Sequence, residues 1–551
     1  MEFNHADLFE GLADAIGDRV AVVCGDDRAT YAELDAHANR LAHHLAAHGV
    51  GHGTHVGMQL YNGMEYVAAL LATLKLRAVP VNVNYRYVES ELRYLYRDSG
   101  IAALLFDVEF GDRVAAVAAQ VPGLRHLVAV GGPTAVPGAV PYEEAVAGES
   151  EGRDFPPRSG DDVYVIYTGG TTGMPKGVMW RSEDLFFAFG GGNPYGDPLK
   201  TPEAVIEQAR GTASPVVMMT GAPLMHGAAQ MGTFIAWWMG GTMVHVRRFD
   251  AAAVLRAIDR EKVVSLNITG DAMARPLAEE MAAGSYDLSS LFVLSSTGAI
   301  LSGAVRARLE ELLPGRMILD NFGSTESGYT ASGVDGSSPE SGLRYRPNAN
   351  ATVAVLDETL TPVEPGSGRI GTVARSGRIA FGYHNDPDKT ARTFVTDAHG
   401  VRWLLTGDLA TVEEDGTIRF CGRGSQCVNT GGEKVFPEEV EAVLKGHPAV
   451  FDAVVTGIPD ERWGSRVAAV VQPYGGTAPT AEQLDAHCRT RLSGYKVPRT
   501  YAFVEEIVRS PAGKADYRWA GQVAAAASQP PASQPPASQR PASQPVARPS
   551  E

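Results

Sequence analysis

Tyr167-Thr-Gly-Gly-Thr-Thr-Gly-Met-Pro-Lys-Gly177 is the stretch from which the rest of the chain can be read. It follows the apolar run Val163-Tyr-Val-Ile-Tyr167, which predicts a buried strand. Gly169, Gly170, Gly173 and Gly177 carry no Cβ, so their backbone N–H groups can turn toward an anion. The hydroxyls of Thr168, Thr171 and Thr172 add donors or a metal contact, and Lys176 adds a point charge. This is the make-up of a loop that grips phosphate, and it implies nucleotide chemistry. The Walker template does not fit, because it needs Gly directly before the lysine and Ser or Thr directly after it. Here Pro175 and Gly177 stand in those places. A plain surface turn would account for the glycines, but not for threonines and a lysine set directly after a buried strand.

At 551 residues the chain is longer than one ordinary core, so two or three domains are expected. A formal net charge of −16 with no block of Lys or Arg argues against a nucleic-acid partner, since phosphate backbones reward clustered basic charge. Cys24, Cys421, Cys427 and Cys488 have no metal-ligand spacing, and so few thiols fit a reduced compartment. The first residues, Met1 to Asp7, lack a basic segment followed by an apolar one. The most apolar stretch, 231–241, is far short of a bilayer span. A cytoplasmic protein without membrane insertion is therefore expected.

Residues 1 to about 160 alternate helical patterns, such as Tyr31 to Leu45, with short apolar runs, such as Ala102-Ala-Leu-Leu-Phe106. That is the alternation of a layered parallel sheet. His43, His44 and His48 lie on or near the helical pattern, yet no cysteine or carboxylate pattern accompanies them, and they read as surface histidines. Trp237 and Trp238 on a predicted helix read as core. Further on come strand-then-turn units: Leu291 to Leu301, Ile318 to Gly328 with Glu326, and Trp403 to Ala410 with Asp408 near a strand end. A second Thr-Gly-Asp at 269–271 makes Asp271 a competitor of Asp408. After Arg423 comes a loop, then a helix opened by Pro437 and acidic residues. Beyond residue 526 an Ala-Ser-Gln-Pro-Pro repeat has no apolar anchors and is expected to be disordered.

Taken in order, these motifs resemble the adenylate-forming superfamily of acyl- and aryl-CoA synthetases, luciferases and nonribosomal peptide adenylation domains. The resemblance runs from about residue 10 to residue 520. It implies an α/β fold, with a large N-terminal domain of layered α/β sheets (1–422), a small, mobile α+β C-terminal domain (423–520) and a tail (521–551). ATP, Mg²⁺ and CoA are the cofactors and co-substrates it implies, and a small-molecule carboxylic acid is the substrate; homodimerisation is left open. The signature loop, Thr168 to Gly173 with Lys176, would hold the triphosphate. Thr172 and Glu326 would contact the metal. Gly298 and Ala299 would lie against adenine, with Phe322 stacked on it between Asn321 and Gly323, and Thr325 beside them. Most relatives have Tyr where this chain has Phe322. Asp408 and Arg423 would take the ribose, Gly431 and Gly432 would line the pantetheine route, and His226 would stand beside the carboxylate. Lys514 matches the lysine that the C-terminal domain delivers to the reacting phosphate. The hinge falls at Ser425, where the superfamily has Asp or Lys.

Within the superfamily, Val81 to Tyr94, Gly270 to Pro276 and residues 510–519 look most like actinobacterial acyl-CoA ligases of the steroid side-chain type. The same branch resembles ATP-dependent diazotases, which adenylate nitrite and couple it to an aryl amine. Polar Asn267 suits that small substrate, so this is the alternative reading.

Overall fold

The run before the glycines forms the strand Val163–Gly170, and Gly173–Arg181 returns antiparallel to it with Thr168 opposite Lys176. The signature stretch is therefore a hairpin tip, and Lys176 stands on the returning strand instead of on a loop. A Cβ on Gly177 would meet the Tyr167 ring at 2.8 Å, so only glycine lets the two strands close there. Gly382–Tyr383 adds a third strand against Val178 and Met179. The computed structural model describes residues 1–170, 173–194, 196–334, 343–430, 433–460, 462–475, 479–509 and 514–528.

Two larger sheets flank this hairpin. One has five parallel strands, in the spatial order Val79–Asn82, His55–Gln59, Ala103–Asp107, His126–Val130 and Ala139–Pro141. Ala103–Asp107 is buried along its whole length, as its continuous apolar run predicts. The other sheet has a parallel half in which Ser265–Ile268, Val293–Thr297 and Met317–Ser324 lie side by side. It continues as an antiparallel half through Gly328–Gly333, Arg344–Pro347, Ile418–Arg423 and Arg402–Val412. Helices cover both sheets. Tyr31–Ala47 opens with a capping box between Thr30 and Glu33 and buries Leu34, Ala38, Leu41, Ala42 and Leu45, one stripe at helical spacing. Trp237 and Trp238 are buried, and Trp237 Nε1 donates to the Ala21 carbonyl at 3.0 Å, which makes both core residues.

From Val428 onward the chain builds a smaller α+β unit around the antiparallel pair Val450–Asp460 and Gly464–Pro473, with Thr500–Phe503 parallel to the second. It has cores of its own. Val440, Leu444, Val455 and Val467 pack on one side of this sheet; Val454, Ile458, Val470 and Ala524 pack on the other. The segment read as a loop after Arg423 contains a short hairpin, Val428–Thr430 with Glu433–Val435, before the helix Pro437–Lys445.

Two boundaries differ from the sequence reading. The last helix, Tyr517–Ala527, runs through the boundary drawn at residue 520, because its alanines favour helix and Ala520 and Ala524 are buried against the small sheet. The tail therefore begins later, and residues 529–551 lie outside the described residues. Asp408 is not at a strand end but inside Arg402–Val412, where Gly407 takes a φ of +78° and the register shifts between Leu409 and Ala410. Among the described residues no helix is long and apolar enough to cross a membrane, and all four cysteines are free thiols.

Candidate active site

One asparagine, for which no motif argued, positions the hairpin. Asn82 Nδ2 donates to the carbonyls of Tyr167 (2.8 Å) and Met225 (2.6 Å), and its Oδ1 accepts from the Tyr167 N–H at 2.7 Å. A single buried amide thus ties the base of the hairpin tip to the parallel sheet and to the segment that carries His226. Tyr167 O–H donates to Asp98 at 2.7 Å, and Trp180 Nε1 donates to the Thr325 carbonyl at 2.9 Å, which links the hairpin to the second Gly/Ser/Thr turn. Lys176 is paired with Asp386. That ion contact, helped by the Lys389 N–H, holds the Asp386 carboxyl below its ordinary value. Thr168 and Gly169 end the outgoing strand, with Gly170 paired to Gly173. Thr171, Thr172, Gly431 and Gly432 lie outside the described residues.

The next wall is built from the ends of two neighbouring strands. Gly298, at a φ of +80°, and Ala299 follow Val293–Thr297, whose last residue is opposite Asn321. Asn321, Phe322 and Gly323 are still strand, paired with Ser332, Ala331 and Tyr329, so the turn begins only after Ser324. The Phe322 ring lies 5.4 Å from Tyr345 and 6.0 Å from Phe420. A cavity lined by Ile300, Ser302, Asp320, Tyr345, Phe420 and Glu438 opens beside this aromatic wall. Glu438 belongs to the smaller unit, so both domains enclose the cavity. Tyr345 O–H donates to Asp320 at 2.8 Å, while burial pushes the Asp320 carboxyl up to about 6.

The charged groups converge around the hairpin. Glu326 Oε1 accepts from Tyr383 O–H at 2.9 Å, and its second oxygen remains as a hard donor on a turn rich in hydroxyls. A carboxylate with adjacent hydroxyl oxygens suits Mg²⁺, which takes oxygen ligands, so the residues present fit that ion. Asp408 and Arg423 are opposite each other in register, with Nε of the arginine 3.0 Å from Oδ1 of the acid. Burial pushes the Asp408 carboxyl up, and the Arg423 charge opposes the shift. Lys514 shares this field. Burial and the Arg423 charge push its ammonium down, whereas Glu326 and Asp408 draw it up. Its charge also reaches His226, the N-cap residue of helix Gly227–Trp238. Burial, then the charges of Lys514 and Arg86, lower His226 to about 4, so this ring is neutral near pH 7.

His226 Nε2 is buried without a partner among the described residues, and so is Asn267 Oδ1, although Asn267 Nδ2 donates to Ser295 Oγ at 2.9 Å. The competing Thr-Gly-Asp is used elsewhere. Asp271 accepts from the Ser302 N–H at 2.8 Å and faces Arg275 and Lys445, away from Arg423. Sequence reasoning missed Asn82, Trp180, Tyr383 and Asp386, which act through contacts between distant segments.

Comparison with known proteins agrees with this geometry. The family model described as "AMP-binding enzyme" matches residues 9–384, and "AMP-binding enzyme C-terminal domain" matches residues 439–514. The chain belongs to the AMP-binding enzyme family. Among its relatives is the medium/long-chain-fatty-acid–CoA/3-oxocholest-4-en-26-oate–CoA ligase of Mycobacterium tuberculosis (strain ATCC 25618 / H37Rv), 47% identical over 524 residues, covering 94% of this chain and 95% of that protein. The 3-oxocholest-4-en-26-oate–CoA ligase of Rhodococcus rhodochrous is 44% identical over 533 residues, covering 94% of this chain and 96% of that protein. Among solved structures, the anthranilate CoA ligase AuaEII in complex with anthranoyl-AMP superposes on this AMP-binding enzyme with a TM-score of 0.81. It is 25% identical and covers 95% of this chain and 98% of its own.

Proposed function

We propose that this AMP-binding enzyme is an ATP-dependent, AMP-forming acyl-CoA ligase acting on a hydrophobic carboxylic acid in the cytoplasm. What supports the reading is that Lys514, from the far end of the chain, falls within the electrostatic reach of Glu326, Asp408, Arg423 and His226. The relatives' names as CoA ligases support the same reaction.

In this reading the hairpin N–H groups and Lys176 hold the β- and γ-phosphates, which requires Lys176 to leave Asp386 for ATP. Gly298, Ala299 and Phe322 hold adenine, and Asp408 takes the ribose hydroxyls with Arg423 at its side. Glu326 and Thr172 hold Mg²⁺, which when bound offsets part of the triphosphate charge. Lys514 donates to the substrate carboxylate and to the α-phosphate oxygens, where negative charge concentrates as the carboxylate attacks phosphorus. Pyrophosphate leaves and an acyl adenylate remains. His226 Nε2 and Asn267 Oδ1, without a partner among the described residues, supply polar points at the acid-binding end. Rotation about Ser425 then withdraws Lys514 and brings the Gly431-Gly432 segment to the adenylate, so that the CoA thiol can attack its carbonyl.

Adenylation of nitrite is the weaker reading, since relatives at 44–47% identity are named CoA ligases. The test is pyrophosphate release across fatty, steroid and aromatic acids, followed by thioester formation with CoA, in the parent and in Gly432→Trp. Acid-dependent pyrophosphate release, with a thioester made by the parent and blocked in the variant, is the expected result. AMP formation that needs nitrite and an amine, and ignores CoA, would overturn it.

A further inference from the structure

His44 and His48 read from the sequence as surface histidines, but the structure buries His44 and brings both together with His126, which no motif singled out. The ligand nitrogens of the three lie within 4.8 Å of one another. His44 and His48 are one turn apart at the end of helix Tyr31–Ala47, and His126 opens the strand His126–Val130. His44 Nε2 and His126 Nε2 face each other at 2.9 Å, and the His48 ring stacks on His126 with centroids 4.0 Å apart.

The His48 ring is held as metal-ligating imidazoles are, by a hydrogen bond on its other nitrogen. His48 Nδ1–H donates to the His44 carbonyl at 2.8 Å, which leaves its Nε2 as a lone-pair donor. His44 Nδ1 points toward Glu149, 3.9 Å from its carboxylate. We propose that these three imidazoles form a binding site for one divalent transition-metal ion of the Zn²⁺ class, which clips the end of the helix to the start of the strand His126–Val130 of the parallel sheet.

A tetrahedral ion with Zn–N bonds of about 2.0–2.1 Å asks for nitrogens roughly 3.4 Å apart. The facing His44 and His126 Nε2 atoms, at 2.9 Å, would open to that spacing, and the His48 ring, stacked on His126 at an interplanar angle of 15°, would turn out of the stack to aim its Nε2 at the ion. Two faces of the site are closed, because His44 and His126 are buried; His48 is exposed and leaves an entry path and a fourth position for water. Charge balance is simple. The proton shared by the facing Nε2 atoms moves to Nδ1 of one ring, on His44 toward Glu149, so both Nε2 lone pairs are freed without a net change in protonation. The site is separate from the catalytic groups. His126–Val130 lies three strands over from Val79–Asn82, which holds the hairpin, or roughly 14 Å at ordinary strand spacing.

The experiment uses the full chain without an affinity tag and without nucleotide. Zn²⁺ binding is followed by titration calorimetry and by melting temperature, and Co²⁺ binding by its visible ligand-field bands. The parent is expected to take one equivalent of Zn²⁺, to melt several degrees higher with it, and to give tetrahedral Co²⁺ bands. Exposed His48→Ala should weaken binding at least tenfold and abolish the bands, and His44→Gln should remove the site. If buried His44→Gln does not fold, His48→Ala decides alone. Lack of stoichiometric binding in the parent, or the same affinity in His48→Ala, would reduce the cluster to stacked, hydrogen-bonded rings and overturn the proposal.

Discussion

Lys445 Nζ of the smaller unit lies 3.5 Å from Asp271 Oδ2 of the larger, with both side chains almost fully buried. The contact does not stop there. Lys445 also reaches Asp452 at 3.3 Å, Asp452 pairs with Arg509 at 2.7 Å, and Arg509 is bridged to Ala515, the neighbour of Lys514. On the large-domain side Arg275 stacks over Phe451, with 5.5 Å to the ring centroid, and donates to Tyr474 at 3.4 Å. A chain of alternating charges thus connects the domain contact to the base of the segment that presents Lys514.

Asp271→Asn should loosen that contact, because it leaves the buried Lys445 with less compensating charge. Pyrophosphate release should fall about tenfold, equivalent to about 1.4 kcal/mol, while thioester formation from preformed acyl adenylate stays near normal. Equal losses in both half-reactions would assign Asp271 to general stability instead.

Lys514→Ala should slow adenylation by roughly two to three powers of ten and leave ATP binding and the fold intact, since one charge at a developing anion is lost. Single-turnover pyrophosphate release and the melting temperature check this together. Near-normal release would remove Lys514 from the reaction.

Glu438 sets a pH dependence. Burial first, and then the charge of Glu441, push its carboxyl up to about 7 from an ordinary 4.5, and its Oε2 is buried without a partner among the described residues. A raised carboxyl pKa means that the folded protein keeps a proton which the unfolded chain has already released between these two values. Stability should therefore fall as pH rises from about 4.5 to 7. Glu438→Gln, neutral throughout, should flatten the melting-temperature profile in that window and be the more stable form at pH 8. An unchanged slope would place the titration elsewhere.

Asn82→Ala should cost about 3 kcal/mol, since it orphans a buried N–H and two carbonyls together. The KM for ATP should rise as the hairpin loses its anchor. Denaturant unfolding and initial rates measure both effects, and a parent-like midpoint would show that water replaces the amide.

His226 should contribute no inflection near pH 6.5 to the adenylation rate, because burial and nearby cations hold it at about 4. A depressed histidine pKa makes its share of stability full above 6.5 and lost as pH falls through 4. Comparing the pH profiles of the parent and His226→Asn tests this, and an inflection that vanishes in the variant would show that the ring titrates in the working range.

What the sequence determined by itself was local. A buried strand running into glycines and threonines, a carboxylate after a second such strand, and a late lysine between Pro and Gly each leave their pattern within about ten residues. Their order along the chain was enough to assign the superfamily. What only the tertiary structure decided lies between segments far apart. Asn82 reaches Tyr167 across 85 residues and His126 meets His44 across 82, and such pairings leave no periodic trace in either segment. The rivalry between Asp408 and Asp271 had the same character. Both sit in the same tripeptide, and the choice depends on whether the facing group is Arg423 across an antiparallel ladder or Lys445 across a domain boundary. The hairpin itself is local: composition predicted a turn that binds anions, and the structure adds the pairing of Thr168 with Lys176, closed over Gly177, where a side chain would strike the Tyr167 ring.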